Sequence, residues 1–178
     1  MIVLMDTWNK CVKIIYIDFL NKVNNKLNIE FLMYIIIGFY ITIHDIKHKI
    51  IPDVVILPSI IFLIFLRFLD GSINLEYLYA IMFIVTVFVF PIILNLRFGG
   101  GDIRFGIFSA ILLGFPNIVW FIIISSLFHL LILLILKKKE YPFAPSMFMA
   151  SIVVYLTDET LWSLIWIYQT IKILEKLF

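Results

Sequence analysis

The chain is 178 residues long, 63% hydrophobic and only 15% charged, with a mean hydropathy of +1.11. Soluble domains run nearer half apolar and a quarter charged, so a water-soluble fold is excluded and a polytopic, all-helical membrane protein of one domain is expected. A net charge of +2 argues against a nucleic-acid partner, and the single cysteine, Cys11, excludes an intrachain disulfide and a cysteine-based metal cluster.

In chain order, residues 1–30 mix Trp8, Ile14, Ile15, Phe19 and Leu20 with Lys10, Lys13, Lys22 and Lys26. That pattern predicts an amphipathic helix lying in the membrane interface. It lacks the basic start, apolar stretch and small-residue cleavage site of a secretory signal. A spanning helix needs about 20 mainly apolar residues. Six stretches approach this, at residues 31–44, 54–69, 77–96, 103–113, 117–136 and 143–156, so the membrane core is expected over 31–156. The first and fourth are short, which puts their ends at or just inside the membrane boundary. Residues 157–178, with Trp162, Trp166, Tyr168, Lys172 and Lys176, are expected to form an interfacial helix or a seventh span.

Charge alternates with the connections. Lys47 and Lys49 follow the first stretch, Arg97 and Arg104 flank the third connection, and Lys137, Lys138 and Lys139 follow the fifth. The intervening connections, 70–76 and 114–116, hold no Lys or Arg, and neither do residues 157–160. Excess Lys and Arg mark the cytoplasmic side. The lysines of residues 1–30 fall on the other side of this scheme. Arg67 is a second exception, and it is expected to snorkel toward the outer interface.

Two carboxylates stand out in this topology. Asp45 ends the first stretch and Asp102 opens the fourth, so both belong on the cytoplasmic side. An ionisable side chain at the edge of an apolar run is costly to keep and marks a functional site. Two neighbouring carboxylates cannot both ionise cheaply; they share a proton and can divide the work of base and acid in hydrolysis without a covalent intermediate. Gly99, Gly100 and Gly101 precede Asp102 and let a substrate backbone approach closely. The bland reading of Gly-Gly-Gly-Asp is a turn and a helix cap; the pairing with Asp45 on one face is what raises it above that. Asp53, after Pro52, reads as the cap of the next helix. His44 and His48 have a metal-compatible spacing, but there is no His-Glu-x-x-His pattern and Pro52 follows closely, so no metal and no cofactor is expected. No serine sits in a Gly-x-Ser-x-Gly setting, and Cys11 lies in the polar amino-terminal segment. A rival reading is a small ion- or proton-coupled transporter subunit that uses both aspartates as ion ligands.

Three blocks together resemble the prepilin (type IV leader) peptidases and their preflagellin relatives, membrane aspartic proteases of the Gly-x-Gly-Asp type. The first runs from Asp45 through Pro52-Asp53 to Pro58, the second is Gly99-Gly100-Gly101-Asp102-Ile103-Arg104-Phe105, and the third is Pro142-Phe143-Ala144-Pro145. The resemblance implies Asp45 and Asp102 as the catalytic pair, with Gly99, Gly100, Gly101, Pro142, Phe143 and Pro145 at the substrate. It implies as substrate a type IV prepilin-like or pseudopilin precursor, cut after the glycine that ends a short basic leader, at the cytoplasmic face of the inner membrane. Many bacterial members add an amino-terminal region with paired Cys-x-x-Cys motifs, associated with methylating the new amino terminus. This chain has one cysteine, so cleavage without methylation is expected. Ala144 stands where glycine is usual, and Arg104 and Phe105 replace the commoner Lys and Leu.

Overall fold

A computed structural model of the chain describes residues 29–69, 71, 74–94, 99–137 and 140–157. Of the expected amphipathic segment 1–30, residues 1–28 lie outside the described residues, as do residues 158–178, Arg97, Lys138 and Lys139, while Ile29 and Glu30 open the first helix. Among those described, six helices and no strands are present: α1 (Ile29–His48), α2 (Asp53–Leu69), α3 (Leu75–Ile93), α4 (Gly100–Leu113), α5 (Asn117–Leu136) and α6 (Ala144–Thr157). Residues Ile29–Tyr155 form one compact unit. Three helices, α1, α3 and α5, are long and apolar enough to cross a membrane. The fold is a helical membrane bundle.

α1 departs from the expected short span. It runs for 20 residues and carries Asp45 in its last turn instead of just beyond its end. The helix continues because nothing breaks it before Lys49, which takes a left-handed φ of 55° while its N–H closes on the Asp45 carbonyl at 2.8 Å. α4 is short as expected, 14 residues or about 21 Å, well under the ~30 Å hydrocarbon thickness.

α4 is also the centre of the bundle. It packs against α1, α2, α3 and α5, and its residues Phe105, Gly106 and 108–113 are all buried. A helix apolar on every side belongs inside a bundle. Close approach to α3 requires Gly106, where a Cβ would lie 2.7 Å from Phe88 Cε2 and 2.9 Å from Ile84 Cγ1. Gly114 ends α4 at φ 69°, in the left-handed region that glycine adopts without steric cost. The core between α1, α4 and α6 is aromatic. Tyr34 is fully buried, stacks on Phe108 at 4.8 Å, and hydrogen-bonds Ser109 Oγ at 2.7 Å; Ser109 in turn donates to the Phe105 carbonyl. α6 closes on α1 through Phe148 over Gly38 and Tyr155 stacked on Phe31 at 4.2 Å. Outside, large apolar side chains such as Val54, Phe68, Ile93 and Ile135 are exposed, a surface suited to lipid.

Arg67 corrects the sequence reading. It does not snorkel outward: its guanidinium pairs with buried Glu30 at 2.9 Å, donates to the Leu112 carbonyl at 3.1 Å, and lies 4.7 Å from the Tyr77 ring centroid. Side-chain exposures of 14% for Arg67 and 3% for Glu30 make this an interior ion pair. Hydropathy along one segment could not reveal it, because the partner sits on a different helix.

Candidate active site

Four helix ends converge at one place. The last turn of α1 brings Asp45, the α1–α2 turn brings residues 49–52, α4 starts at the glycines with Asp102 in its first turn, and α6 starts just after Phe143. Between them lie two adjoining clefts. The first, about 360 Å³, is lined by Asp45, Lys49, Ile50, Ile51, Asp53, Gly99, Gly100, Gly101, Asp102 and Arg104. The second, about 220 Å³, is lined by Asp45, Lys49, Asp102, Glu140, Tyr141, Pro142 and Phe143. Asp45, Lys49 and Asp102 are common to both and form the boundary between them. Asp45 is 6% exposed, and its side chain and that of Asp102 border both clefts.

The three glycines are not equivalent. A Cβ on Gly101 would fall 2.9 Å from Ile51 Cβ, so this glycine lets α4 press on the α1–α2 turn. A Cβ on Gly99 would fall 2.9 Å from Asp102 Oδ2, because the Asp102 carboxylate folds back over that residue while its N–H bonds the Gly99 carbonyl. A Cβ on Gly100 would meet nothing. The first and third glycines have steric reasons to be glycine and the middle one has none.

Of the residues expected at the site, Asp45, Asp102, Gly99, Gly100, Gly101, Pro142 and Phe143 line the clefts, and Pro145 does not; it is buried behind them in the first turn of α6. Asp53 is the first residue of α2, and its carboxylate pairs with the Arg104 guanidinium across to α4 instead of only closing its own helix. His44 donates from Nδ1 to the Ile50 carbonyl, 2.7 Å away, which pins the α1–α2 turn. Among the described residues no three His, Cys, Asp or Glu side chains come together as a metal site.

Sequence reasoning missed two contributors. Lys49, read there as a topology signal, lies in the wall of both clefts. Ala144 supplies its backbone N–H to Asp45 Oδ2 at 3.3 Å. The Ala144 N–H belongs to a helix first turn, where no acceptor is available within the helix, and such groups seek acceptors outside it. The only signal for it was the position of Ala144 between Phe143 and Pro145, at the start of an apolar run.

The profile described as the type IV leader peptidase family matches residues 32–134. The match takes in the Asp45 and Gly-x-Gly-Asp blocks and stops short of residues 142–145. No curated protein and no solved structure matches the chain.

Proposed function

The chain belongs to the type IV leader peptidase family, and from that premise we propose that it is a membrane aspartic endopeptidase with Asp45 and Asp102 as its catalytic pair. The observation that carries this reading is that two aspartates far apart in sequence line the same two clefts. The substrate is a type IV prepilin-like precursor, and its leader is removed at the cytoplasmic face, where Lys47, Lys49, Arg104 and Lys137 agree with the positive-inside rule.

The chemistry follows from the pair. An extended substrate strand crosses from one cleft to the other, so its scissile carbonyl meets the carboxylates at the boundary. A water held between them attacks the carbonyl carbon. One carboxylate takes the water's proton, and the other, protonated, gives its proton to the leaving amine. The Ala144 N–H fixes one oxygen of Asp45 and leaves the second for the water. No cofactor takes part. Methylation of the new amino terminus is not expected, since the chain has one cysteine and no Cys-x-x-Cys pair.

The test is a cleavage assay with the purified chain in detergent or lipid and a prepilin whose leader is basic and ends in glycine. The expected result is a shortened product whose mass places the cut after that glycine. Intact precursor with folded enzyme and several prepilins would overturn the proposal.

The glycines give a second expected outcome. Gly101→Ala forces α4 away from Ile51 and moves Asp102 relative to Asp45, and misplacement of reacting groups by about 1 Å costs on the order of 10²-fold in rate. Gly99→Ala displaces the Asp102 carboxylate and is expected to cost a similar amount. Gly100→Ala meets open space and is expected to keep activity within about threefold of the parent, apart from the small shift in backbone freedom. Initial rates for the three variants, at equal amounts of folded protein, check the order.

A further inference from the structure

α6 begins at Ala144, and its first N–H groups have no preceding turn to accept them. Pro145 brings no N–H. Ser146 and Met147 both donate to the Phe143 carbonyl, at 3.0 and 3.2 Å. The Ala144 N–H is the one directed to Asp45, at 3.3 Å. That distance is at the long end for an N–H···O bond, so a small rotation of the turn at residues 142–146 makes or breaks it.

The turn is gripped from α5. His129 stands edge-on to the Phe143 ring, 4.9 Å between centroids with planes at 87°. Its Nδ1 is hydrogen-bonded to Ser146 Oγ at 3.3 Å, either partner donating. Phe88 of α3 also meets the Phe143 ring edge-on, 6.4 Å between centroids. His129 therefore holds residues on both sides of Ala144. It is the only ionisable side chain in the α5 sequence, in a helix otherwise apolar enough to cross a membrane, where such a residue is costly and calls for a function. The hydroxyls of Ser125 and Ser126 nearby bond the carbonyl of Ile122 in their own helix.

We infer that His129 is a positioning residue for Asp45: it sets the turn at residues 142–146 so that the Ala144 N–H meets the Asp45 carboxylate. Its kinetic consequence rests on the peptidase reading; its structural consequence does not. The chain has four alanines, Ala80, Ala110, Ala144 and Ala150, so ¹⁵N-alanine labelling isolates the relevant amide. In the parent chain, Asp45→Asn is expected to shift the Ala144 resonance. With His129→Ala in place, the Ala144 resonance has already moved and no longer answers to Asp45→Asn.

In the cleavage assay His129→Ala is expected to lower kcat about tenfold with KM within twofold, because the substrate clefts keep their walls while Asp45 loses its anchor. His129→Asn, whose amide occupies the place of Nδ1, is expected to restore most of the rate. His129→Phe keeps the ring against Phe143, and with it the fold, but removes the bond to Ser146; it is expected to weaken the Ala144 response. An unchanged Ala144 response in His129→Ala or His129→Phe overturns the inference, as does a rate loss in His129→Ala that Asn does not relieve. If the parent chain cuts no precursor, the peptidase reading fails by itself and the amide measurement still decides the role of His129.

Discussion

Asp45→Asn and Asp102→Asn are each expected to lower precursor cleavage by at least about 10³-fold while leaving the bundle folded. The loss is large because a single proton-transfer group contributes ~10²–10⁴-fold and the two carboxylates act as one unit. Asparagine keeps the shape of each side chain but can neither take the water's proton nor pass one to the leaving amine. It preserves the local contacts: in Asp45→Asn the side-chain amide can still accept the Ala144 N–H through its carbonyl oxygen. Both residues sit at helix ends on the rim of the bundle, away from the aromatic core around Tyr34, so thermal unfolding should move little. The check is cleavage by each variant and by the double variant, beside thermal unfolding of all three. A double variant no worse than either single is the mark of groups that work together. Retention of a tenth or more of the parent rate by Asp102→Asn would rule out the dyad.

The helices were largely legible in the sequence because membrane segments announce themselves by long apolar runs, and every expected core stretch falls on an observed helix. What failed was pairing between helices. Arg67 looked outward-facing since nothing within α2 balances its charge; Glu30, which does, lies far back in α1. Asp53 read as a cap because capping is a local pattern, whereas its partner Arg104 is visible only once α2 and α4 are brought together. The same limit hid Lys49 and Ala144 at the clefts. The aspartates stood out for the opposite reason: a carboxylate ending an apolar run is anomalous in one dimension, with no need of the third. The Gly-x-Gly spacing lies between these cases. Sequence exposes the glycines, but only the contacts of Gly99 with Asp102 and of Gly101 with Ile51 explain why the middle position is free.

Arg67→Met is expected to destabilise the bundle by about 3–5 kcal/mol, the cost of removing one member of a buried ion pair. Glu30 is 2% exposed, so water cannot replace the guanidinium. Arg67 also joins four helices at one point: it lies in the last turn of α2, pairs with the start of α1, bonds the Leu112 carbonyl near the end of α4, and covers Tyr77 at the start of α3. Arg67→Lys keeps the charge but loses the planar guanidinium that reaches Glu30 and Leu112 through Nη2 and lies over the Tyr77 ring, and an intermediate loss is expected. Glu30→Leu combined with Arg67→Met removes both charges and should recover much of what either single change loses, since an apolar pair of similar volume carries no desolvation penalty. The coupling, read from thermal or denaturant unfolding of the four proteins in detergent, is expected to be at least as large as the loss in Arg67→Met alone. Glu30 and Asp45 lie on the same helix, separated by about 22 Å at 1.5 Å per residue, so the compensated pair should cleave precursor at close to the parent rate. A double variant that is stable but inactive would instead tie the far end of the bundle to the dyad through the rigid length of α1 and α4.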